Sequence, residues 1–422
     1  MHDSLSDKYG NILFVFCGGG CKAIFQAVAA TELVRAGLIP SHIMSASAGT
    51  CNALGFVENP GIVGAEKTLR IWEDHITSPE AIYEVHPFIR EKLTHLLGVV
   101  PPVTQDWGPN GSLLLDLRRA VNFFPLVISL CLRMPFRMAG RAVSLMFHLM
   151  DTFESQHKSF RQLAQAPEIM ETFSEIEKYF ELKRMKAFLD PFPLLSRLTA
   201  QIDLGKVLAS PIVWHILAER YENGATVIFS NKDTDLAMDG NEDLRSRKAK
   251  QDLFLKRIRA SMALYPLFEL VEIDGSRYLD ADLAHPLPID EAFGLGCETV
   301  FFFLNVPKQN LRFEPYPLRD LLELNSLSRL NERYIHYRIK EAQAQAKNQG
   351  VNLFIIQPDE IPPGLGLLEI DRKVIEWVKT TEGRRMKDYL SNLDSHNLRF
   401  SPSIHSPPFC TPNPDMQDHE QP

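Results

Sequence analysis

Ser47 stands in the run Ser45-Ala46-Ser47-Ala48-Gly49, after a short apolar stretch and before a helix-like one. A sharp strand-to-helix turn pushes a serine hydroxyl clear of a sheet, and the tightness of that turn demands small neighbours. About thirty residues upstream lies Cys17-Gly18-Gly19-Gly20-Cys21-Lys22. A glycine turn that opens a helix aims backbone N–H groups at an anion. A nucleophile and an anion cradle on neighbouring strands point to acyl transfer. The competing reading makes Ser47 a plain helix N-cap, and it weakens once a base for the serine is found in order.

The strongest candidate base is Asp280, in Tyr278-Leu279-Asp280-Ala281-Asp282-Leu283-Ala284-His285-Pro286. It ends a strand-like run, and small residues follow that let it face a pocket. With it in place the chain resembles the patatin-like phospholipase family, which pairs a G-G-G-x-[KR]-G turn with a G-x-S-x-G elbow and a later D-G-[GA] motif. Here the three blocks read Gly18-Gly19-Gly20-Cys21-Lys22-Ala23, Ser45-Ala46-Ser47-Ala48-Gly49 and Asp280-Ala281-Asp282. Ile202-Asp203-Leu204, Val227-Ile228-Phe229-Ser230-Asn231 and Arg259-Ala260-Ser261 before Tyr265-Pro266 extend the resemblance over about residues 11–305.

The resemblance implies Ser47 as nucleophile and Asp280 as base, a dyad without histidine. It implies an oxyanion hole of backbone amides from Gly18, Gly19, Gly20 and Cys21. The implied fold is a three-layer α/β architecture with a mostly parallel central sheet and an inserted helical cap. The implied substrate is a membrane lipid ester, with phospholipase A or lysophospholipase activity the most specific form. No metal and no organic cofactor are implied, and a protein activator is among the implied partners.

This chain departs from the family pattern within each of the three blocks. Ser45 stands for the first elbow glycine and Ala23 for the last glycine of the first block, both exchanges among small residues. Asp282 stands where the family has glycine or alanine. Residues two apart on an extended chain face one side, so a second carboxylate would crowd the base and coupling would raise a pKa. Asp282 also reads as a hydrogen-bonded loop residue. His285 in a Ser-Asp-His order is a further alternative, awkward at five residues past the aspartate. Lys22 reads either as a contact for an anionic headgroup or as a solvated residue beside the turn.

These residues need a scaffold, and the pattern supplies one. Asn11 to Phe16 reads as a buried strand, Ala23 to Ala36 as a helix stopped at Gly37, His42 to Ala46 as a strand and Ala48 to Val57 as a helix. Strand–helix–strand–helix in under about sixty residues predicts a parallel α/β sheet. From about residue 60 to 190 the pattern is helix-rich without clear strands, as in an insertion. Pro211 to Leu217 and Ala225 to Ser230 read as paired strands around Asn223-Gly224. Gln251 to Leu264 reads as a helix, with strands at Leu270 to Ile273, Arg277 to Leu279 and Glu298 to Asn305. Residues 306–398 read as a helical extension, with long helices at Leu318 to Ala346 and Asp371 to Leu393 and one more strand at Val351 to Gln357. From about residue 399 the chain is rich in Pro, Ser and Asn and reads as a disordered tail.

Composition narrows the class. The 422 residues are 45% hydrophobic and 23% charged, as in ordinary globular domains. A net charge of −8 argues against a nucleic-acid partner. The six cysteines form no CxxC pair, which suits a reducing compartment. The N-terminus lacks the pattern of a Sec signal, and the longest apolar run, Phe123 to Leu132, is about half the ~20 residues a membrane span needs. The expected location is cytoplasmic or peripheral to a membrane, with a non-Sec export route left open. Arg133, Arg137 and Arg141 are four apart and would share a helix face beside apolar residues. They read as a contact with anionic lipid or as a solvated face of the cap. Two rival functions remain at this level: a nucleotide binder using the glycine turn, for which no complete phosphate-binding fingerprint exists, and a lipid-binding protein with an impaired site.

Overall fold

The computed structural model describes residues 8–85, 186–237, 242–282, 285–307 and 325–397. Eight strands form one sheet in the order β10-β9-β1-β2-β5-β8-β7, with β6 also paired to β5. They are β1 (Ile12–Phe16), β2 (His42–Ser45), β5 (Val213–Arg220), β6 (Ala225–Ser230), β7 (Val271–Ile273), β8 (Ser276–Asp280), β9 (Thr299–Phe303) and β10 (Asn352–Ile356). The run from β10 to β5 is parallel, and β6, β7 and β8 join antiparallel.

Alternation along the central strands explains the layering. Phe14, Phe16, Phe301 and Phe303 enter one core, and Leu13, Val15, Val300 and Phe302 enter the other. Successive side chains of a strand point to opposite faces, so strands buried on both sides read as continuous apolar runs. Each such aromatic or aliphatic side chain, fully buried, stabilises by about 1.5–3 kcal/mol. The first face is covered by α1 (Ile24–Arg35), α2 (Gly49–Glu58) and α9 (Arg372–Ser391), whose buried residues belong to its core; the second is covered by α7 (Ile289–Gly294) and α8 (Asn325–Gln349). The result is a three-layer α/β fold. Between these elements lie α3 (Ile62–Arg70), α4 (Phe192–Gln201), α5 (Leu204–Ala209) and α6 (Leu244–Ser261).

Two boundaries differ from the sequence reading. The helix expected from Gln251 starts at Leu244, because Asp243 caps it by accepting the Ser246 N–H at 2.7 Å. The stretch read as strandless contains a two-residue antiparallel pair at its two ends, β3 (Glu84–Val85) with β4 (Leu189–Asp190). The rest of that stretch, 86–185, lies outside the described residues, as do the tail from 398 and the start of the helix expected at Leu318.

Candidate active site

The Ser47 turn leaves β2 and enters α2 with Ser47 at φ 53. A serine held in the left-handed region costs on the order of 1–3 kcal/mol, so the surroundings must impose it. They do so through hydrogen bonds. The Ser47 N–H donates to Ser261 O at 3.0 Å and lies 3.2 Å from Ser261 Oγ. Trp214 Nε1–H donates to Ser45 Oγ at 2.9 Å, Ser45 Oγ meets Thr50 Oγ1 at 3.2 Å, and Thr50 Oγ1 meets Ser261 Oγ at 3.1 Å. Serine in the place of the first elbow glycine is therefore part of a buried hydroxyl chain. Gly49 is fixed by space: a Cβ there would sit 2.3 Å from Phe16 O.

Strand register brings Asp280 to this turn. On β5, Ser45 lies opposite Ile216 and Asp280 opposite Ala218. Because β6 occupies the other edge of β5 over His215–Arg220, β2 and β8 must share one edge. They approach from opposite directions, so their C-terminal ends meet about two residues, or ~7 Å, apart along β5. Asp280 is only 1% exposed, and its Oδ1 accepts the Asp282 N–H at 2.9 Å. Its Oδ2 is buried and has no hydrogen-bond partner. Burial first, then the Asp282 charge, push the Asp280 carboxyl up to about 8, while the nearby Ser47 hydroxyl favours the ionised form. That hydroxyl is close enough to act on Asp280 without the geometry of a formed hydrogen bond.

Asp282 does more than crowd Asp280. Its Oδ1 accepts the Gly18 N–H at 2.8 Å. Burial raises the Asp282 carboxyl to about 6, opposed by that N–H and by Lys22. The glycine turn itself is braced from below by Asn305 Nδ2, which donates to Gly18 O at 2.5 Å, and by Gln26 Nε2, which donates to Cys17 O at 2.5 Å. The Cys21 N–H donates to Leu367 O at 3.0 Å. Gly19 and Gly20 have N–H groups that no described residue accepts.

Ser47, Gly20 and Cys21 line one apolar cleft of about 60 Å³, with Trp72, Met262 and Leu368 among its other walls. That is narrow beside the ~300–1,000 Å³ of ordinary ligand pockets. Cys21 and Cys51 also line it, as buried free thiols. Burial raises both pKa values, that of Cys51 to about 12, so neither is a thiolate nucleophile at neutral pH.

The family model for patatin-like phospholipase matches residues 14–293. The chain belongs to the patatin-like phospholipase family. That family is one of lipid acyl hydrolases, and β10, α8 and α9 lie beyond the matched span. No curated protein matches. Among solved structures the patatin-like chain is similar to the crystal structure of VipD from Legionella pneumophila, at 13% identity and a TM-score of 0.36, over 92% of this chain and 67% of that one. A likeness that remote carries no argument about the site.

Of the residues singled out in the sequence, the structure gathers Ser47, Ser45, Gly49, Gly18, Gly19, Gly20, Cys21, Asp280 and Asp282 at the C-terminal ends of β1, β2 and β8. Lys22 is close enough to favour the ionised form of Asp282. His285 donates its backbone N–H to Ala281 O at 2.8 Å. Arg133, Arg137 and Arg141 lie outside the described residues. Among the described residues no group of three His, Cys, Asp or Glu is placed to hold a metal, and no helix is long and apolar enough to cross a membrane. Sequence reasoning missed Leu367, Leu368 and the Trp214–Ser45–Thr50–Ser261 chain. Only the last had a signal, in the Arg259-Ala260-Ser261 segment.

Proposed function

We propose that this protein is a serine acyl hydrolase of membrane phospholipids, of phospholipase A or lysophospholipase type. The observation that carries the reading is one cleft edged by Ser47 on a positive-φ turn, with a buried, otherwise unpartnered carboxylate oxygen of Asp280 beside it. Asp280 Oδ2 takes the Ser47 proton as Oγ bonds to the ester carbonyl carbon, and the carbonyl π pair moves to oxygen. The Gly19 and Gly20 N–H groups are the free donors for that oxyanion, each donor worth on the order of 3 kcal/mol. Collapse breaks the ester C–O bond, and the Asp280 proton goes to the leaving alkoxide. Water then attacks the acyl-enzyme with Asp280 as base again, the acyl C–Oγ bond breaks, and the Asp280 proton returns to Ser47 Oγ as the fatty acid is released.

A fluorophosphonate probe tests this directly. Labelling in the presence of phospholipid vesicles that disappears in Ser47→Ala is the expected result. A second reading, a lipid-binding protein with a silenced site, draws on the raised Asp280 pKa, because burial and the Asp282 charge disfavour the ionised form a base needs. Vesicle binding without labelling at any pH would decide for it.

A further inference from the structure

The Gly18 amide belongs to the turn assigned above to the oxyanion, yet a side chain of the same protein already fills it. We propose that the Asp282 carboxylate is a built-in competitor for the oxyanion, seated on the Gly18 N–H, and that this side chain restrains the rate of the proposed hydrolase and sets its pH window. The inference rests on the Ser47–Asp280 reading.

The contact is close and specific. Asp282 Oδ1 is 2.8 Å from Gly18 N. A Cβ on Gly18 would lie 2.3 Å from Asp282 Cγ, so the carboxylate occupies the space directly against that face of the turn. The Asp282 backbone N–H meanwhile donates to Asp280 Oδ1 at 2.9 Å, which ties the competitor to the base. Substituting the side chain alone leaves this second bond intact.

A carboxylate beside a forming oxyanion does two unfavourable things. It withholds one N–H donor, and it places a like charge at the reacting centre. The charged and titratable groups that act on the pair, among the described residues, are Lys22 in the glycine turn, Cys17 at the end of β1 and Glu219 on β5. Of these only Lys22 favours an ionised Asp282. The two carboxyls titrate as one buried pair, so an ionised Asp282 both holds the Gly18 N–H and opposes ionisation of Asp280.

The test compares wild type, Asp282→Gly and Asp282→Asn by the rate of fluorophosphonate labelling between about pH 5 and 9, with Ser47→Ala as blank. Asp282→Gly is expected to label on the order of tenfold faster at neutral pH, a fraction of the full value of one oxyanion donor. Asp282→Asn is expected to gain less, because its amide oxygen still accepts from Gly18 but carries no charge. Both move the rising limb to lower pH, since loss of a neighbouring negative charge lowers the Asp280 pKa. Equal rates with an unmoved limb overturn the proposal and leave the Ser47 reading standing. Absence of labelling in every protein overturns the reading and the proposal together. The contact has its own check: with 15N-glycine labelling of Ser47→Ala, the Gly18 amide resonance should titrate with pH, and adding Asp282→Asn should abolish that titration. A Gly18 resonance that ignores Asp282 also overturns the proposal.

Discussion

Around Ser47 the hydroxyls of Ser45, Thr50 and Ser261 and the Trp214 N–H form one connected chain, whereas beside it Asp280 keeps a buried carboxylate oxygen with no partner. Ser47 is held by groups that do not titrate near neutral pH. Asp280 is held beside a second buried carboxyl, Asp282, with the Glu219 charge adding to the repulsion. The contrast separates two tasks. A strained turn must stay in one geometry, and a satisfied hydroxyl network does that at every pH. A proton acceptor must instead have a pKa near working conditions, and burial beside a like charge supplies the upward shift.

Breaking the Ser47 side should have the largest effect. Ser47→Ala is expected to reduce fatty-acid release by on the order of 10³-fold or more while leaving vesicle binding intact, as measured by product analysis and sedimentation. Asp280→Asn comes next, with a loss of about 10²–10⁴-fold in the labelling rate. It also carries an opposite effect on stability. Asp280 has a folded-state pKa raised above its unfolded value, so the protonated carboxyl favours the fold. That contribution is complete below the unfolded pKa and is lost as pH rises through about 8. Asp280→Asn has no such loss, so above that window its melting temperature should exceed that of wild type, and equal alkaline melting temperatures would contradict the assignment. Gly49→Ala probes the rigid side by sterics alone. Its new methyl meets Phe16 O and should destabilise by about 1–3 kcal/mol, visible as a lower denaturant midpoint. The smallest expected change is from Leu368→Ala, which widens the cleft by a few carbon atoms. It should alter the relative rates for short and long acyl esters by a few-fold, in favour of the long.

Legibility followed the range of the interactions. The elbow was readable because small residues between a strand-like and a helix-like run are themselves the mark of a tight turn. Strands β1, β2 and β9 were readable because both faces are buried and their composition says so. The start of α6 was missed because one side chain, Asp243, extends the helix by about two turns beyond its apolar pattern. The carbonyl of Leu367 on the Cys21 N–H left no mark in the sequence, since any residue type presents the same backbone oxygen. Asp282 was visible as a departure from the family motif, and its like-charge effect on Asp280 was foreseeable from a spacing of two. Its partner was not, because Gly18 is 264 positions away.

The sequence by itself determined the elements and their chemistry: buried strands, a glycine turn, a small-residue elbow and a carboxylate at a strand end, all set by local sterics and by hydrophobic pattern. Only the tertiary structure decided which of them meet. Strand β8 enters antiparallel on the β5 edge that β2 already uses, and that register carries Asp280 to Ser47 and Asp282 to Gly18. Pairing between distant strands depends on backbone hydrogen bonds and on a core completed by the whole chain, and no short stretch of sequence contains either.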